Sequence, residues 1–219
     1  MQKRTALLSV WDKAGIVEFA RNLAGLGFDI LGSRGTVAAL IEKGIPSIDI
    51  ATIVGPPILG HRVVTLSREI HAGLLATDTT KDREELNRLS IPWIDLACVN
   101  FYPLGSEVNN PGATRESVIE ATDIGGPTMI RSAAKGRRIT VTSAELYPLI
   151  IRWLEAGEPQ KETVLDLMTA AAEYLVANYC LTSSCYHAGV DRYIMNANAG
   201  QKASLPPDTL LRALLENLT

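Results

Sequence analysis

The chain alternates short apolar runs with longer stretches in which apolar residues recur every three or four positions. "TALLSV" reads as a buried strand, "DKAGIVEFARNLAGLG" as an amphipathic helix closed by Gly27, and "FDIL" as a second strand. A "GSRGT" turn, a helix through "VAALIEKG" and a strand around "SIDI" follow. Strands joined through helices pair in parallel. The pattern therefore predicts a three-layer α/β fold, with a mainly parallel sheet, helices on both faces and ligand loops at the carboxyl ends of the strands.

Beyond Asp49 the periodicity breaks. "ATIVGPPILGHRVVTLSREIHAGLLA" is punctuated by Gly and Pro and predicts a long loop that runs into an apolar segment. Next come a helix, "DREELNRL", and a buried strand, "IDLACVNFYP", stopped by Pro103; "TRESVIEATDIGGPTMIRSAAKG" then leads to the strand "RRITVT". The remainder reads as helix: "AELYPLIIRWLEAG", "KETVLDLMTAAAEYLVANYC" and "DTLLRALLENL". With no repeat and no low-complexity linker, the expected organisation is one domain, its core over about 4–157 and a helical C-terminal extension over about 158–219.

Composition narrows the functional classes. A chain of 219 residues that is 47% hydrophobic and 21% charged can bury a sizeable core and is not disordered. A net charge of −3, with both signs mixed along the chain, provides no electrostatic footprint for nucleic acid and no polybasic membrane anchor. No apolar run approaches spanning length and the first residues turn charged too soon for a signal peptide, so the cytoplasm is the expected location. Cys98, Cys180 and Cys185 lack CxxC spacing and encode neither a disulfide framework nor a zinc site; Cys98 reads as a core thiol. His61 and His71 are too far apart for a one-helix metal motif, and HExxH, Walker A, GxSxG and a full GxGxxG are all missing.

The candidate chemistry lies where predicted strands end. Gly32, Ser33, Gly35 and Thr36 follow "FDIL" and open a helix, where N–H groups and hydroxyls suit a phosphate; a capped turn explains the same residues. Asn100 and Tyr102 stand at the end of another strand, and Tyr102 reads either as a core tyrosine or as a ligand donor. In "DIGGPTMIRSAAKG" the Gly-Gly-Pro suits a helix entrance. Asp123 reads either as the cap of that helix or as an acid beside a ligand, and Lys135, more than two turns in, reaches Asp123 only if the chain before the helix folds over.

Four segments, running in order from about Thr5 to Tyr147, carry a resemblance: "LLSVWDKAGIVEFARNLAGLGFDILGSRGT", "GHRVVTLSREIHAGLLA", "VNFYPL" and "DIGGPTMIRSAAK". They resemble the IMP cyclohydrolase half of the bifunctional AICAR transformylase/IMP cyclohydrolase family of purine biosynthesis. The resemblance implies a methylglyoxal-synthase-like fold, no metal or organic cofactor, and closure of a formylated aminoimidazole carboxamide ribotide to IMP with loss of water. It places Asp123, Lys135 and Tyr102 as catalytic residues. Lys13, Ser33, Arg34, Gly35 and Thr36 would surround the phosphate. Arg62, Val63, Val64, Thr65 and Asn100 would line the nucleotide, with the backbone of Ile124, Gly125 and Gly126. "TAAAEYLVANY" resembles the lead into the transformylase half; no such half follows, which makes a separate AICAR transformylase a candidate partner. The apolar C-terminal helices make a homodimer the expected state.

The departures from the family pattern bear on activity. Val64 stands where the family carries a catalytic lysine, Ser67-Arg68 where it has His-Pro, and Trp11 and Arg34 where it has small residues. A slow cyclohydrolase in which Arg34 or Arg68 supplies the missing charge is one reading. A nucleotide-binding module without turnover, or a scaffold for a separate transformylase, is the alternative.

Overall fold

Strands β1 (Arg4–Ser9), β2 (Phe28–Gly32), β3 (Ile48–Asp49), β4 (Leu96–Val99) and β5 (Ile139–Val141) pair in the order β3-β2-β1-β4-β5, all parallel. This is a computed structural model, and it describes residues 3–189 and 207–218. The strand at "SIDI" is only the two residues of β3, at the sheet edge.

Period-two alternation divides the strand side chains between two cores. Ala6 and Leu8 of β1, with Leu96 and Cys98 of β4, face helix α1 (Ile16–Gly25) and helix α9 (Tyr147–Glu155). Leu7, Ala97 and Val99 face the opposite way, toward helix α4 (Arg68–Leu75) and helix α8 (Gly125–Lys135). Helix α1 buries Ile16, Phe19, Ala20 and Leu23, the spacing that makes one apolar stripe. Each fully buried side chain of that size contributes about 1.5–3 kcal/mol, so both layers are held by their stripes rather than by surface ion pairs.

Between β2 and β4 lie α2 (Arg34–Glu42), a short α3 (Ala51–Val54), α4 and α5 (Thr80–Arg88). The predicted loop after Asp49 is thus interrupted by α3 and ends at α4, whose first turn is capped by Ser67: its hydroxyl accepts the Ile70 N–H at 3.2 Å. Two short helices, α6 (Leu104–Val108) and α7 (Arg115–Glu120), separate β4 from α8.

The C-terminal helices are bound into this core. Helix α10 (Lys161–Ala188) places Val164, Leu165 and Met168 in the first core and Ala172 in the second. Helix α11 (Pro207–Leu218) buries Leu211 and Leu215 in the first core. Part of the apolar surface that argued for a homodimer is therefore covered by the chain itself. Cys98 is buried, with its thiol pushed up to about 12 by burial, as a core thiol would be.

Candidate functional site

The chain runs outward from β1 through β2 to β3 on one side and through β4 to β5 on the other, so the order reverses between β1 and β4. A crevice opens at the carboxyl ends of the strands at such a reversal. Asn100 spans it. From the end of β4 its Oδ1 accepts the N–H of Trp11 at 2.5 Å and of Asp12 at 3.1 Å, and its Nδ2 donates to Asp12 O at 3.0 Å. The side chain expected to line a nucleotide is committed to holding the loop after β1.

That loop carries Lys13. Its ammonium donates to Val10 O and, at 3.1 Å, to Trp11 O, and burial lowers its pKa against the opposing charge of Asp12. Thr36, fully buried, fixes the same loop from α2: its hydroxyl accepts the Val10 N–H at 3.2 Å and lies 3.3 Å from Val10 O. Ser33 Oγ lies 3.2 Å from Thr36 Oγ1. Thr36 is thus a structural hydroxyl, whereas the N–H groups of Arg34 and Gly35 at the start of α2 have no acceptor among the described residues. Helix-start N–H groups of this kind favour an anion.

The second half of the site is the turn before α8. Asp123 Oδ1 accepts the Gly126 N–H at 2.9 Å, and the N–H groups of Gly125 and Tyr102 also face the carboxylate. Asp123 therefore caps the first turn of α8 and, through the Tyr102 N–H, lies beside the segment that follows β4. Burial raises its pKa above the usual carboxylate value, and the surrounding N–H groups oppose the rise. The two glycines are steric requirements. A Cβ on Gly125 would lie 2.3 Å from Thr65 Oγ1, and one on Gly126 would lie 2.8 Å from the Phe101 ring and 2.6 Å from Asp123 Oδ2. Pro127 sits in the first turn, where its missing donor costs nothing.

Thr65, Tyr102, Asp123, Gly125 and Gly126 are thus brought together, with the exposed Ile124 beside them. Lys13, Ser33, Arg34, Gly35, Thr36 and Asn100 gather at the neighbouring strand ends. The remaining predicted site residues make other contacts. Arg62 faces Glu120 of α7 at 3.8 Å, and His61 meets the same carboxylate at 3.2 Å. Val63 forms an antiparallel bridge with Ile58, and Val64 packs against the second core. Arg68 is paired with its neighbour Glu69 at 3.1 Å. Lys135 ends α8 and is exposed; the chain before the helix does not fold over to bring Asp123 to it.

Asp123 and Lys135 do share one feature, a groove of about 790 Å³ between α8 and α10. Thr128, Ser132 and Glu173 line it between them. The same groove reveals a residue that the sequence reading missed. Tyr179 of α10 accepts the Asp123 backbone N–H at 2.6 Å and donates to Ala121 O at 3.1 Å, and its ring meets Phe101 edge-on at 5.1 Å. The available signal was spacing: Ala172, Val176 and Tyr179 fall on one helix face, and the first two pack against the second core.

The family model for the MGS-like domain matches residues 15–128, just over half of the chain. The bifunctional purine biosynthesis protein PurH of Caldicellulosiruptor bescii is 44% identical over 179 residues, which are 80% of this chain and 35% of that protein. PurH of Neisseria gonorrhoeae is 42% identical across 82% of this chain, and PurH of Pelodictyon phaeoclathratiforme is 38% identical across 91% of it. The chain spans little more than a third of the length of these relatives, 35–38% of each. Among solved structures, the crystal structure of ForH aligns with a TM-score of 0.71 at 29% identity, covering 85% of this chain and all of that one. By the matched family model and by its parallel sheet alike, the chain belongs to the family of MGS-like domains.

Proposed function

We propose that this chain is an IMP cyclohydrolase of purine biosynthesis, closing the second ring of formylated AICAR with loss of water. The observation that carries the reading is the Asp123 turn: a half-buried carboxylate, raised in pKa and held by N–H groups at the topological switch of an MGS-like fold. The match to PurH proteins across 80–91% of the chain supports a role in purine biosynthesis and favours this substrate class.

Ring closure needs a base and then an acid at one place. The carboxamide nitrogen attacks the formyl carbon and gives up a proton, which Asp123 takes. Asp123 returns that proton to the former formyl oxygen, giving a carbinolamine. The hydroxyl then leaves as water with the proton lost by the former formamide nitrogen. A carboxyl group whose pKa lies nearer the working pH is the better shuttle in both directions. Tyr102, 42% exposed in the segment after β4, would donate to the developing oxyanion. The 5′-phosphate would sit on the free N–H groups of Arg34 and Gly35, with Ser33 and Lys13 beside them.

Lys135 has a part in this chemistry only if a second copy of the chain brings it to Asp123, which makes the homodimer a requirement for that role. Val64 supplies no charge, so turnover is expected to be slower than with a cation at that position. Steady-state formation of IMP from formylated AICAR tests the reading. Turnover above the uncatalysed rate bears it out. Tight binding of IMP without turnover would instead favour a nucleotide-binding module, which the loss of charge at Val64 specifically favours as the second reading.

A further inference from the structure

We infer that Tyr179 is a positioning residue for Asp123, so that helix α10, outside the 15–128 segment of the family match, forms part of the site. The inference rests on the cyclohydrolase reading for its kinetic consequence, but not for its structural one.

The Asp123 turn is held on two sides. In front, the carboxylate accepts N–H groups from the end of β4 and the start of α8. Behind, the single hydroxyl of Tyr179 accepts the Asp123 N–H at 2.6 Å and donates to Ala121 O at 3.1 Å. These backbone groups lie between α7 and α8, where no helical or strand partner serves them among the described residues. The Tyr179 ring, edge-on to Phe101, ties the same turn to the segment after β4 that carries Tyr102. Burial pushes the Tyr179 phenol up to about 12, so the hydroxyl keeps the proton it donates across the working range.

Removing that hydroxyl leaves the carboxylate and all its front contacts in place but frees the backbone that aims it. Displacements of about 1 Å in a reacting group cost on the order of a hundredfold in rate without weakening substrate binding to match. The signature is a fall in kcat at nearly constant KM.

The test is Tyr179→Phe, which keeps the ring against Phe101, beside Tyr174→Phe as a matched control on the exposed face of the same helix. Two readouts are taken: amide hydrogen exchange across Ala121–Gly126, and steady-state kinetics with formylated AICAR. In Tyr179→Phe, exchange at Asp123 is expected to accelerate roughly tenfold or more while the sheet keeps its protection. The kcat is expected to fall about ten- to a hundredfold, with KM within about threefold of wild type. Unchanged exchange, or an unchanged kcat, overturns the inference. Phe101→Leu supplies a second check by removing the ring contact alone; a kcat loss as large as that of Tyr179→Phe would assign the effect to packing and overturn it equally. Should the wild type show no turnover, the cyclohydrolase reading fails, and the exchange result alone decides whether Tyr179 holds the turn.

Discussion

Asp123 and Lys135 stand at the two ends of helix α8, whose 11 residues hold them roughly 15 Å apart along the axis. No rotamer of either side chain closes that gap, so in one chain they do not act on the same atoms. A two-fold pair of copies would bring each lysine to the other copy's acid and create two equivalent sites. Mixing inactive Asp123→Ala with inactive Lys135→Ala should then restore about a quarter of wild-type activity, because half the dimers carry one intact site. Activity assays of the mixture after subunit exchange check this. No recovery, with exchange demonstrated, would remove Lys135 from the chemistry.

Asp123 combines a cap and a carboxylate, and two substitutions separate them. Asp123→Asn keeps an oxygen for the Gly126 N–H and should lose turnover with little loss of thermal stability. Asp123→Ala should lose turnover and also about 1 kcal/mol of stability, the usual worth of a cap. Melting curves read beside kcat distinguish the two.

The pH dependence follows from the direction of the Asp123 shift. Burial raises the folded-state pKa above its ordinary value of 3.8, so the folded protein binds this proton more tightly than the unfolded chain. The stability contribution of this group is therefore greatest below 3.8 and is lost as pH rises through the raised value. Activity runs the other way: as a base, Asp123 must be deprotonated, so kcat/KM should climb through the same window. Asp123→Asn should flatten the stability trend in denaturation measurements from acid to neutral pH.

Val64 packs against the second core beside Thr65, whose hydroxyl lies against Gly125. A lysine there can bury its stem along the apolar surface and carry its charge toward the turn. Val64→Lys is expected to raise kcat by about tenfold or more, in proportion to what a positioned cation contributes to an oxyanion. No gain at unchanged IMP affinity would mean that the chain does its chemistry without a cation at this position.

Asn100 serves as a clamp across the switch point, and its loss should be felt in binding. Asn100→Ala releases the N–H groups of Trp11 and Asp12 and with them the loop that holds Lys13. The KM for the nucleotide is expected to rise about tenfold, with kcat changed far less. A fall in kcat alone would instead place Asn100 at the reacting atoms.

Much of this arrangement was legible in the residues. Short continuous apolar runs such as "TALLSV" and "IDLACV" marked strands buried on both faces, and strand-helix alternation pointed to parallel pairing, hence to the edge where the site would lie. Gly125 and Gly126 stood out as unusual for a helix, and both prove to be closed against neighbouring side chains. What periodicity does not encode is partnership between distant segments. The contacts of Thr36 with Val10, of Asn100 with the loop after β1 and of Arg62 with Glu120 are partnerships of this kind. Tyr179 lay in a helix read as an extension, and only the packing of α10 along α8 brings its hydroxyl to Asp123.

The central claim is that Asp123 moves the proton in ring closure. Its most direct test is a single-turnover reaction with enzyme in excess over formylated AICAR, following IMP in the wild type and in Asp123→Asn under the same conditions. The account predicts IMP formation in the wild type and a loss of at least about a hundredfold in the variant, with IMP still bound by both. Equal rates in the two proteins, or none above the uncatalysed rate in either, would contradict it.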